Sequence, residues 1–154
     1  YDLTNSHVVP ALIRKCYEAK IAGAAEAVIW GTGTAMREIL HVDDLAAAMV
    51  FLMQRPTEHS IINVGSGDEY TITDLAGVIA EVVGFKGAFT YDRSKPDGTP
   101  RKLLESSKIQ AMGWKPRITL REGLRRTYEA LLESNHEGVF AMPDSPPQAR
   151  VVGR

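Results

Sequence analysis

"AVIWGTGTAMREILHVDDLAAAMVFLMQ", Ala27 to Gln54, sets the architecture of this chain. Its opening "AVIW" is the apolar run of a short buried strand, closed by the turn Gly31-Thr32-Gly33. "REILHV" predicts a second strand, after which Asp43 is placed to cap the helix "DLAAAMVFLMQ", stopped by Pro56. That helix is apolar almost all round, so it is expected deep in a core. Strand, turn, strand and helix in this order point to an α/β arrangement with some parallel pairing.

The flanking sequence extends the pattern. Upstream, "SHVVPALIRKCYEAKIAG" carries Val8, Val9, Leu12, Ile13, Cys16 and Tyr17 at helical spacing. Asn5 or Ser6 can cap this helix, Pro10 fits only in its first turn, and Gly23 ends it. Downstream, "SIINVGSG" is a β-branched run into a glycine turn and reads as a strand buried on both faces. Thr71 or Thr73 caps "DLAGVIAEVVG", "GAFTY" is a short strand, and helices follow near Ser106 to Met112 and from about Leu120 to Glu133. The segment 135–154 holds three of the eight prolines and is expected to be a disordered tail, leaving 1–134 as the ordered region. Four short strands are too few for five helices, two of them strongly apolar. With a start at Tyr1 instead of methionine, this is the pattern expected of a piece cut from a longer protein.

Composition narrows the function. A formal charge of −1, from 18 basic and 19 acidic residues, supplies no overall field for nucleic acid or an anionic membrane. No apolar run is long enough to span a bilayer. The lone Cys16 excludes an internal disulfide and a cysteine-built zinc site, and fits a reducing cytoplasm.

Two glycine turns, Gly31-Thr32-Gly33 and Gly65-Ser66-Gly67, follow predicted strands. The third glycine of a dinucleotide fingerprint would fall at Met36 and Tyr70, so both read as plain turns. Tyr91 and Lys95 have the Tyr-x-x-x-Lys spacing of a redox pair, which works only on a helix. Pro96, Asp97-Gly98 and Pro100 forbid one there. The loop from Asp92 to Lys102 instead concentrates four cations, Arg93, Lys95, Arg101 and Lys102, against Asp92 and Asp97. Stiffened by two prolines and a glycine, it suits a diphosphate, although a solvated basic turn has the same composition. Trp30 can offer a flat face to a base or sugar or simply fill a core, and Arg37 stands near the same rim. Lys15 lies on the polar side of the first helix, and His7 at its first turn, where the helix dipole opposes the imidazolium.

In order along the chain, "SHVVPALIRK", "WGTGTAMREILHVDDLA", "INVGSGDEYTI", "SKPDGTPRKLL" and "GWKPRITLREGLRRTY" resemble the C-terminal part of the GDP-L-fucose synthases. These are extended short-chain dehydrogenase/reductases, and the resemblance covers roughly residues 4 to 134. It implies the substrate-binding part of a two-domain fold, with the elements that complete the Rossmann sheet mostly missing from this chain. The implied reaction converts GDP-4-keto-6-deoxy-D-mannose to GDP-L-fucose by 3,5-epimerisation and NADPH-dependent reduction at C4. Residue by residue, His7 matches an epimerisation acid placed near NADP. Lys15, Trp30, Arg37 and Asp97 match GDP-sugar contacts, and Lys102 matches a lysine of the same binding loop. The family's glycine fingerprint, its Tyr-x-x-x-Lys and its epimerisation cysteine all precede this region, and Cys16 does not match that cysteine. Ala35 departs from a position where proline is common. The resemblance also implies a homodimeric, cytoplasmic enzyme whose NADP is bound mainly outside this chain. This chain alone is then expected to be inactive. Another nucleotide-sugar epimerase or dehydratase, or a non-catalytic binding module, fits much of the same pattern.

Overall fold

The first helix, α1 (Val8–Ile21), turns Leu12, Ile13 and Cys16 inward and ends where Gly23 takes a φ of 62°. In the computed structural model, which describes residues 7–136, it leads into β1 (Glu26–Trp30). Then come β2 (Met36–Glu38), α2 (Val42–Met53), β3 (Glu69–Thr71) and α3 (Ile72–Val83). The chain continues through β4 (Ala88–Asp92), β5 (Arg101–Lys102), α4 (Ser107–Ala111) and α5 (Leu120–His136). Asn135 and His136, expected in the tail 135–154, continue α5 instead, while the caps expected at Asn5 or Ser6 and the rest of that tail lie outside the described residues.

β1 and β4 pair in parallel, with Trp30 opposite Asp92. A separate three-stranded sheet runs β3-β2-β5, antiparallel on one side of β2 and parallel on the other. Ala27 and Ile29 alternate inward on β1 while Val28 and Trp30 face out. The inward pair joins Leu12, Ile13, Leu75, Ile79, Val83, Leu124 and Leu131 in the main core, where α3 packs against both α1 and α5. α3 is fixed at its start by a capping box: Thr71 Oγ1 accepts from the Asp74 N–H, and the Asp74 carboxylate accepts from the Thr71 N–H. Gly84, at φ 80°, ends it.

The structure corrects several expectations. α2 is not deep in a core: Val42, Leu45, Met49, Val50 and Met53 are exposed, Met53 to 85%. Only the side carrying Ala48, Phe51 and Leu52 is covered, by Ile109 and Trp114, and no described element packs on the other side. The run Ile61–Val64 forms no strand, and Ile61 is 73% exposed. It pairs with no described strand, although Ile62 and Val64 reach the second cluster. The cap of α2 is His41, whose Nδ1 accepts from the Asp43 N–H at 3.2 Å; Asp43 sits in the first turn. Asp44 is buried and accepts from the backbone N–H groups of Arg117 and Ile118, tying α2 to the approach to α5. β3 and β5 were not anticipated. Among the described residues no helix is long and apolar enough to cross a membrane.

Candidate functional site

β1 and β2 are joined by the turn Gly31-Thr32-Gly33, and the loop after β4 folds back onto it. The Thr32 N–H donates to Asp97 Oδ1 at 2.6 Å and the Thr32 hydroxyl to Oδ2 at 2.9 Å. These two bonds, backbone first, hold the Asp97 carboxyl below its ordinary value. Gly31 has φ 79°, and a methyl group there would strike the Asp97 carboxylate; Gly33 has φ 77° beneath the Tyr91 ring. The loop thus meets the turn at Gly31, while Gly33 makes room for Tyr91 of β4 and Thr73 of α3.

Beside this junction stands Trp30, 45% exposed at the end of β1. Lys15 comes over its indole from α1, with Nζ 4.6 Å from the ring centroid and a 3.0 Å bond to the Val28 carbonyl. Lys95 reaches the same indole from the loop at 5.4 Å. Burial lowers the Lys15 pKa, opposed by the Asp92 carboxylate. Asp92 caps Ser94, whose hydroxyl and N–H hold its carboxyl below the usual range. Arg37 donates to the carbonyls of Met36 at 2.6 Å and Thr99 at 2.8 Å, closing the rim of the loop.

Four of the six anticipated positions, Lys15, Trp30, Arg37 and Asp97, therefore gather round one turn, from stretches as far apart as 15 and 97. Lys102 is exposed on β5, paired with Arg37 in the parallel register, which puts both side chains on one side of that sheet. His7 is exposed at the start of α1, eight residues and about 12 Å of helix axis before Lys15. Tyr91 lies in β4 with its hydroxyl 3.1 Å from Thr73 Oγ1, and Lys95 lies in the turn beyond, so the pair forms no redox dyad. Thr32 and the Lys95–Trp30 contact escaped sequence reasoning. A turn threonine and an aspartate 65 residues away carry no shared local signal.

Each glycine turn already has an N–H committed to a carboxylate. Thr32 N–H is taken by Asp97, and Gly67 N–H donates to Glu38 Oε1 at 2.7 Å. The residues present do not fit the diphosphate end of NADP. Cys16 is fully buried, and burial pushes its thiol up to about 11, so it is no nucleophile at neutral pH. No three His, Cys, Asp or Glu side chains among the described residues are grouped to hold a metal.

Comparison with known proteins gives the chain's relatives. Residues 1–65 match the NAD dependent epimerase/dehydratase family. The chain is 59% identical over 130 residues to "Probable GDP-L-fucose synthase 1" of Oryza sativa subsp. japonica, across 84% of this chain and 40% of that protein. Curated relatives at 49–59% identity are thus named GDP-L-fucose synthases, and the family model that matches residues 1–65 is that of the NAD dependent epimerases/dehydratases. Other relatives include the GDP-L-fucose synthase of Escherichia coli, 49% identical over 140 residues, 85% of this chain and 44% of that protein. Among solved structures, a GDP-L-fucose synthetase from Naegleria fowleri bound to NADP superposes with a TM-score of 0.80 at 25% identity. That match covers 88% of this chain and 43% of the other. A GDP-6-OMe-4-keto-L-xylo-heptose reductase from C. jejuni matches at 0.76 and 31% identity, over 87% and 50%. The chain thus spans about 40% of the length of the curated relatives it matches. It is an α/β chain of the Rossmann-type epimerase/reductase kind, covering part of those proteins.

Proposed function

We propose that this chain is the GDP-sugar-binding part, residues 1–134, of a GDP-L-fucose synthase. The complete protein converts GDP-4-keto-6-deoxy-D-mannose to GDP-L-fucose. The observation that carries this reading is the convergence of Lys15, Trp30, Lys95, Arg37 and Asp97 on the Gly31–Gly33 turn. An exposed indole flanked by two ammonium groups supplies a stacking face beside phosphate-binding charge. Lys102 extends that cationic edge along β5. Anchoring the nucleotide end fixes the sugar without taking part in bond making, so these residues contribute orientation.

His7 would act at the sugar and near the cofactor, as the acid that returns a proton to the epimerised carbon. NADP is held mainly by residues outside this chain, because both glycine turns here are engaged by carboxylates. On this reading the complete protein is a cytoplasmic homodimer, and the isolated chain turns over no substrate.

The test is calorimetry on the complete enzyme carrying Asp97→Ala or Arg37→Ala. GDP-sugar affinity should fall roughly ten-fold or more while NADPH affinity holds. Equal losses for both ligands would sink the assignment. A second reading, reduction of another GDP-sugar, is favoured by the C. jejuni heptose reductase match. Solvent deuterium appearing at C3 and C5 of the product distinguishes epimerisation from reduction alone.

A further inference from the structure

The loop from Asp92 to Pro100 is held on the segment 31–37 at four points. Gly31 N–H donates to the Asp92 carbonyl at 2.9 Å, Met36 N–H to the Pro100 carbonyl at 2.8 Å, and Arg37 to the Thr99 carbonyl at 2.8 Å. The fourth is the Thr32–Asp97 pair. The first three bonds end on backbone carbonyls that a residue of any kind at the loop position would provide. The Asp97 carboxylate is engaged by the turn itself, through the Gly33 backbone and through Thr32, whose N–H and hydroxyl take one oxygen each and whose side chain alone is open to substitution.

The hydroxyl direction follows from donor counting. An ionised carboxylate only accepts, so the single proton of Thr32 Oγ1 is committed to Asp97 Oδ2. Thr34 Oγ1, 2.8 Å from Thr32 Oγ1, must then donate into it. A chain of hydroxyls from Thr34 through Thr32 to Asp97 results, each link aligning the next. Lys95 stands two residues before Asp97 with its ammonium over the Trp30 indole. The carboxylate therefore acts on the loop that carries that cation.

We propose that Thr32 is a positioning residue for the GDP-sugar site: by gripping both oxygens of Asp97 it fixes the basic loop beside Trp30 and so holds Lys95 with Lys15 as one phosphate-binding pair. The assignment rests on the functional reading above, and Thr32 itself touches no ligand. Thr32→Val keeps shape and the N–H but deletes the hydroxyl; Thr32→Ser restores it. Both substitutions belong in the complete protein, read by amide hydrogen exchange without ligand and by calorimetry with GDP and with NADPH.

Thr32→Val should speed exchange of amides 93–99 and weaken GDP roughly ten-fold, the scale of one hydrogen bond to a charged group. NADPH affinity should not move, and Thr32→Ser should behave as the parent. Parental exchange and GDP affinity in Thr32→Val would overturn the proposal. So would a loosened loop with unchanged GDP affinity, or a Thr32→Ser defect as large as that of valine. If the parent protein itself fails to bind GDP, the functional reading falls, and the exchange comparison alone decides whether Thr32 holds the loop.

Discussion

At Gly31 a methyl group would run into the Asp97 carboxylate, and the φ of 79° is one that side chains with a Cβ resist. At Gly77, inside α3, a methyl group would meet nothing within 4 Å. Gly31→Ala should therefore destabilise the fold by about 1–3 kcal/mol. Gly77→Ala should stabilise it by about 0.5–1 kcal/mol, through helix propensity alone. Urea midpoints check both, and shifts of the same sign would contradict the account of the turn. The sequence made Asp97 and its basic neighbours visible as a loop suited to an anion, because Pro96, Gly98 and Pro100 announce a stiff turn. It did not show that Asp97 is gripped by Thr32, since that contact is set by how β1 and β4 pair.

Among the elements, α3 was the most legible. Thr71 and Thr73 were both candidate caps, and the structure selects Thr71 because Asp74, three residues on, completes the box. α2 was misread for a physical reason: apolar composition records what a helix can bury, not whether a partner lies beside it. α2 is held by its one apolar side, Ala48, Phe51 and Leu52 against Ile109 and Trp114, and by the Asp44 carboxylate accepting two backbone N–H groups near α5. Thr71→Ala should cost about 1 kcal/mol. Asp44→Ala, which leaves two N–H groups without that acceptor, should cost roughly 2–4 kcal/mol, read by chemical denaturation. The loop after β4 has its own pH dependence. Asp97 titrates below its ordinary 3.8 because the ionised form accepts the Thr32 bonds. The contribution of those bonds is complete above that value and is lost as pH falls through the lowered folded pKa. Exchange protection of residues 93–99, compared at matched intrinsic rates, should be unchanged from pH 7 down to pH 5 and fail only in stronger acid. Loss of protection near pH 6 would implicate a different group.

For the molecule as a whole, the β1–β4 pair divides two jobs. Its inner residues, Ala27 and Ile29, join the packing of α1, α3 and α5, while its outer end leaves Trp30 exposed beside the proposed site. The expected shortage of sheet agrees with what is exposed: the outer side of α2 and Ile61 lie bare among the described residues. The short strands β3 and β5, three and two residues long, give no periodicity to read, which is why the second sheet was invisible in the sequence. The central claim is that GDP sits at Trp30 and the basic loop. The chain has two tryptophans, Trp30 at 45% exposure and Trp114 at 6%, so their indole N–H resonances report two separate places. In a nitrogen–proton correlation titration with GDP, the Trp30 indole and the amides of 31–33 and 93–102 should shift together while Trp114 stays still. A stationary Trp30 signal, or shifts centred on Trp114 and α2, would contradict the account.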